Sequence, residues 1–132
     1  MPGIVKSEGP LEHFGRKRIR LSGRFFPNGN SAIVLASNQG RKGWTVAYTS
    51  TGLYTLTLYC RPMKLLLLGL GLQLNAAAAR SLQWGAVTFN ADGTTTVQIR
   101  NVDAAGAVQD IAANANNSIS FDLEAVQDSV GG

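Results

Sequence analysis

Between Ser118 and Val126 the chain alternates without a break. Ile119, Phe121, Leu123 and Ala125 take one parity, and Ser118, Ser120, Asp122 and Glu124 take the other. Successive side chains of an extended segment point to opposite faces. The stretch is therefore expected to form a strand with one face on a core and one in water. A chain that spends such a strand must supply others to pair with it, and shorter runs of the same kind recur upstream.

The first begins at Arg18. Ile19, Leu21 and Phe25, with Gly23 in the same series, alternate with Arg18, Arg20, Ser22 and Arg24, and Pro27-Asn28-Gly29-Asn30 closes the run as a turn. Ala32 to Ser37 predicts a short second strand, followed by a loop over residues 38–43. Trp44, Val46 and Tyr48 then alternate with Thr45, Ala47 and Thr49. Beyond Ser50-Thr51-Gly52, Tyr54, Leu56, Leu58 and Cys60 alternate with Leu53, Thr55, Thr57 and Tyr59. Two alternating runs around a short glycine-containing loop are a strong hairpin signal.

Leu65 to Leu74 is nearly all leucine, broken by Gly69, Gly71 and Gln73, and the even-numbered leucines are expected to share one face of a buried strand. Its glycines predict a bulge or the close approach of another backbone. The run is far shorter than the roughly 20 residues a membrane-spanning helix needs. Asn75 to Ser81 reads as one helical turn or a small-residue loop. Leu82 to Phe89 predicts a strand kinked at Gly85, because Leu82 and Trp84 are out of phase with Val87 and Phe89. Asn90-Ala91-Asp92-Gly93 turns the chain into a strand over residues 94–102. Asp103 to Asn117 is expected to be a loop with at most one helical turn, around Val108–Ala113. About eight strands and almost no helix predict an all-β, single-domain antiparallel sandwich, jelly-roll-like, over residues 16–132. Residues 1–15, rich in Gly and Pro, are expected to form an extended N-terminal arm that orders against a neighbour.

At 132 residues one core suffices, and a single cysteine, Cys60, permits no internal disulfide; it is expected inside, as a small apolar residue. Met1–Pro10 lacks the apolar segment of a secretory signal, so none is expected. One histidine, His13 in the arm, and one cysteine cannot supply a zinc set or a Cys–His pair. No phosphate loop is present, because Gly69 and Gly71 lie within an apolar strand. Asp122 and Glu124 share a strand face at a separation that overlaps the glycosidase range, but an acidic outer face is the simpler expectation. No catalytic activity, cofactor or metal is expected.

Charge is distributed unevenly. Residues 1–64 hold ten Lys or Arg against Glu8 and Glu12, a balance of +8, and residues 65–132 carry −4, which together give the net +4. Arg16, Lys17, Arg18, Arg20 and Arg24 form the densest cluster, with Arg41 and Lys42 in the loop beyond. Three uses fit a row of cations on a strand: phosphate contacts with Trp44 or Tyr48 stacking on bases, pairing with protein carboxylates, or protection of a sheet edge. The absence of an aromatic platform motif and the acidic second half favour protein carboxylates over nucleic acid.

With those residues in view, the chain resembles the small β-sandwich virion proteins of tailed bacteriophages, and among them a head decoration (cement) protein. The segments that carry the likeness are Gly23–Gly29, the hairpin strand Gly52–Leu58, and Asp103–Gly106 continuing through Ile111–Phe121. The resemblance implies a jelly-roll-like domain on the outer surface of the capsid, bridging neighbouring major capsid protein subunits, often as a dimer or trimer. It carries no catalytic residues. The interface expected here is Arg16, Lys17, Arg18, Arg20, Arg24, Arg41 and Lys42. The alternative is a tail- or fibre-associated adhesin module for host glycan or protein, with Trp44, Tyr48, Tyr54, Tyr59 and Trp84 as candidate lining.

Overall fold

The computed structural model describes residues 17–33, 43–60, 62 and 64–127. They form seven strands and no helix: β1 (Lys17–Phe25), β2 (Trp44–Ser50), β3 (Leu53–Leu58), β4 (Lys64–Gln73), β5 (Arg80–Phe89), β6 (Thr95–Asp103) and β7 (Ser118–Gln127). Two antiparallel sheets pack face to face, one ordered β1-β7-β4 and the other β2-β3-β6-β5. The expected all-β sandwich is what the chain forms. After β4, β5 and β6, β7 returns to lie beside β4, a Greek-key step of the kind from which jelly rolls are built. Seven strands stand where about eight are expected. The strand predicted over Ala32–Ser37 lies largely outside the described residues, as does the arm over residues 1–15.

The inner faces interlock along the strand registers. In the smaller sheet Leu21 sits opposite Leu123 and Phe25 opposite Ile119; in the larger, Tyr54 lies between Tyr48 and Ile99. Phe25 tilts onto Tyr54 across the sandwich, with ring centroids 5.6 Å apart, and Trp44 meets Phe121 edge to face at 4.8 Å. Such pairs add to the burial of their rings, here Phe25, Tyr54, Trp44 and Phe121, all in the core. Gly23 is the inward residue of β1 that makes room for this. A Cβ placed there would stand 2.7 Å from Trp44 Cε2 and 2.9 Å from Phe121 Cζ. Cys60 packs against the same core, and burial pushes its thiol pKa up.

Two sequence expectations are corrected. In β4 the inward face switches parity, with Leu65 and Leu67 packed on the core before a register shift and Leu70, Leu72 and Leu74 after it. Leu68, at the shift, is 48% exposed, so β4 is a half-buried edge strand, not a fully covered one. When nearly every position is leucine, hydrophobicity cannot say which parity faces in. Of the two readings allowed at 75–81, a helical turn or a small-residue loop, residues 75–79 take the loop, and 108–113 contain no helical turn. The kink expected at Gly85 is present as a register shift between Trp84 and Val87.

Side chains hold the 103–117 loop where a helix is absent. The Asp103 carboxylate accepts from the Ala105 and Ala107 amides and from Gln109 Nε2 at 2.9–3.0 Å. Asp110 accepts from the Gly52 amide at 2.8 Å and the Tyr48 hydroxyl at 3.3 Å. Asn101 donates through Nδ2 to the Gln109 carbonyl at 2.7 Å. These bonds fasten the loop to the β2–β3 turn, and Ile111 fills the end of the core.

Asp103 and Asp122 are both held below the usual carboxylate range, the first mainly by the Ala107 amide and Gln109, the second mainly by hydrogen bonding to Arg20. A depressed folded-state pKa means the unfolded chain binds the proton more readily. The stabilisation is therefore full above the unfolded value, about 3.9, and lost as pH falls below it. The melting temperature is expected to be level from neutral pH to about 5 and to drop below about 4. Asp103→Asn should flatten that acid limb, as a melting series across pH will read directly.

Candidate protein-interaction site

The arginines of β1 stand where the alternation puts them. Arg18, Arg20 and Arg24 are exposed on the outer face of the three-stranded sheet; β1 begins at Lys17. Arg16, Arg41 and Lys42 lie outside the described residues. The strand hydrogen-bonded to β1 is β7, and its outward residues on the same face are Ser120, Asp122 and Glu124. Arg20 grips Asp122 with both arms of its fork, Nε to Oδ1 at 2.7 Å and Nη2 to Oδ2 at 2.5 Å. Arg18 Nη1 donates to Glu124 Oε1 at 3.3 Å. Both pairs run diagonally across the strand pair, within reach of long side chains.

The row is therefore an internal ionic ladder, not a set of free cations. Of the three arginines, two are matched by acids and Arg24 is left over: among the described residues it has no carboxylate in ion-pair range and lies over the Phe26 ring at 5.4 Å. Exposed Lys64 of β4, across Val126 from Arg18, adds a second excess positive charge to the face. The pairing eluded sequence reading because Arg20 and Asp122 are 102 positions apart. The same geometry weighs against acid catalysis. A glycosidase acid needs a raised pKa, and the arginine fork pushes Asp122 the other way.

The opposite outer face is chemically different. Thr45 pairs with Thr57, Thr57 with Thr96 and Thr96 with Thr88, a row of four threonines across all four strands of the larger sheet. Ala47, Thr55 and Gln98 make the next row, and Leu53, Arg100 and Gln83 the one beyond. Among the described residues of this face Arg100 is the single charge. The outward threonines of β2 and β3 are legible in the sequence; their alignment into one row needs the register.

Of the aromatics considered for a glycan site, Trp44 and Tyr54 are buried, and Tyr48 and Trp84 pack against the core. Tyr59 alone is open, 59% exposed, its hydroxyl 3.1 Å from Thr45 Oγ1. Burial pushes the Tyr54 phenol up to about 12. A cleft of about 360 Å³ lies between the 74–80 and 110–117 loops, with Arg80, Asp110 and Asn117 in its lining. Its polar groups are occupied by the fold: Asn117 accepts from the Asn75 amide at 2.6 Å and donates to the Ala112 carbonyl at 3.0 Å, while Asp110 holds Gly52. No group of three or more His, Cys, Asp or Glu among the described residues could hold a metal ion, and they contain no helix long and apolar enough to cross a membrane. Compared with protein-family models, curated proteins and solved structures, the chain matches none.

Proposed function

We propose that this chain is a structural virion protein that decorates and cements a phage capsid by bridging neighbouring major capsid protein subunits. The observation that carries the reading is the ionic face of β1 and β7. It is a strand pair on which Arg20 and Asp122 already meet in a bidentate contact, with Arg24 left over for a partner carboxylate. Preorganised charges lose little freedom on docking, which favours many modest, repeated contacts. Residues 1–16 run directly into this strand, so an arm crossing to a second shell subunit would start beside the docked face. Expansion of a filled head strains contacts between shell subunits, and a module spanning two of them adds binding energy against rupture.

The docking set shrinks accordingly. Arg18 and Arg20 order the face, and Arg24 makes the outward contact. The adhesin alternative draws no support from the aromatics, since four of the five belong to the core or its flank. Stoichiometry on purified particles tests the proposal: a cement protein is present in the hundreds, in fixed ratio to the shell, and a tail component in a handful.

A further inference from the structure

We propose that the free edge of β4, from Gly69 to Gln73, accepts an extended segment of a partner protein as a fourth strand of the smaller sheet. The inner face of the larger sheet lacks cover at one side. Read from β2 to β5, one of its rows is Trp44, Leu58, Thr95 and Phe89, and the next is Val46, Leu56, Val97 and Val87. The members from β2, β3 and β6 are buried, yet Phe89 is 44% exposed and Val87 37%, although register turns both to the same inner face. The cause is an offset between the sheets. Trp44, on the far edge strand β2, meets Phe121 of β7, the central strand of the smaller sheet. That leaves β4 alone to cover β3, β6 and β5 at this level, and it stops short of β5. Its own inward leucines, Leu65, Leu67, Leu70 and Leu72, are only partly buried.

The backbone selects the occupant as firmly as the apolar surface does. β7 takes one side of β4, so the outer row of N–H and C=O groups has no strand partner. An extended chain laid alongside, at strand spacing, satisfies such a row. Sheet edges are commonly guarded by charged side chains or proline. Beyond the register shift, Gly69 to Gln73 carries neither and pairs regularly with β7 on its other side. A Cβ at Gly69 would meet nothing within 4 Å, which leaves the flank open to a neighbouring strand. The fitting ligand is therefore a strand of about five or six residues. Its alternate, inward side chains are aliphatic and uncharged, and they lie over Val87 and Phe89.

The chain's own N-terminal segment is a poor donor. Neither parity of residues 3–14 holds two aliphatic or aromatic residues in succession, and Pro10 interrupts the run. The segment also leads into β1, at the opposite edge of the sheet. A second copy fits no better, because antiparallel β4-to-β4 pairing would bring both overhanging β5 strands into one space. A different protein supplies the strand. The slot is argued from the fold alone and stands whether or not the virion reading does.

Amide chemical shifts of the full chain, titrated with a capped hexapeptide that alternates valine with threonine, test this. Saturable shifts are expected at Gly69–Gln73 and at Trp84, Val87 and Phe89, with a dissociation constant on the order of 100 µM. N-methylation of alternate peptide amides separates strand pairing from simple apolar contact. The set that faces β4 should abolish binding when methylated, and the other set should change it less than about threefold. Phe89→Ser, at a site already open to water, should weaken binding at least about 10-fold by removing the aromatic surface that the ligand covers. Gln83→Lys, on the outer face of β5, should leave it unchanged. The inference is overturned by any of four results. These are no saturable shift up to about 1 mM, shifts centred elsewhere, equal binding by three valines followed by three threonines or by both methylated sets, and affinity indifferent to Phe89→Ser or lost with Gln83→Lys.

Discussion

Gly52→Ala is expected to be the most damaging single-methyl change in the described fold. Gly52 has φ +64°, and a Cβ there would stand 2.6 Å from the Gln109 amide nitrogen and 2.8 Å from the carbonyl oxygens of Asn101 and Gln109. All three are backbone atoms, so no side chain can swing aside. The residue is also a knot: its amide donates to Asp110, and its carbonyl accepts from the Asn101 amide at 2.8 Å. The left-handed conformation alone costs about 1–2 kcal/mol with a side chain present. Displacing the 101–109 backbone adds broken hydrogen bonds at ~1 kcal/mol each, so a total near 4 kcal/mol is expected. Gly29 provides a matched control, with φ +62° and no atom within 4 Å of its hypothetical Cβ. Gly29→Ala should lose only the conformational part, about 1–2 kcal/mol. Urea denaturation of the two variants separates clash from strain; equal losses would contradict this account of the turn.

Gly23→Ala comes second. Its methyl enters the edge-to-face contact of Trp44 and Phe121, whose planes meet at 88°, and the rings are walled in by the core. Overpacking of this kind costs about 1–3 kcal/mol, and the upper end is expected where two rings must move together. Phe121→Ala alone should cost about 3–5 kcal/mol by leaving a cavity. The double variant should cost less than the sum, because the new methyl occupies part of the space the ring leaves. Additivity within about 0.5 kcal/mol would show that Gly23 matters for some other reason.

How far the fold was legible depended on whether two faces differed in chemistry. β7, β3 and β1 each alternate apolar with polar residues, and their inward sets, Ile119 to Ala125, Tyr54 to Leu58 and Ile19 to Phe25, stand as the alternation requires. β4 offered no such contrast: its glycines announced the bulge that lies between Leu67 and Gly69, but which leucines face inward on either side of it emerged only from pairing with β7. The 103–117 loop has the small and amide residues of a turn-rich segment. Its conformation comes from Asp103, Asp110 and Asn117 reaching distant backbone, which local propensity does not encode. The candidate site divides in the same way. That Arg18, Arg20 and Arg24 point outward follows from parity; that two of them are consumed by β7 follows from long-range strand order.

That division moves the functional weight from a stripe of cations to a block with two unlike faces, one ionic and ordered, one nearly uncharged. In the proposed role, such a block would hold shell subunits in place through geometry it brings already formed. Its occupancy on intact particles is the most direct measure of that role. Quantitative mass spectrometry of purified phage particles, with isotope-labelled peptides from this chain and from the shell protein, gives the ratio. The account predicts a fixed, simple ratio to the shell subunit at hundreds of copies per particle. A handful of copies, or a chain left behind in the soluble lysate while the heads are complete, would contradict it.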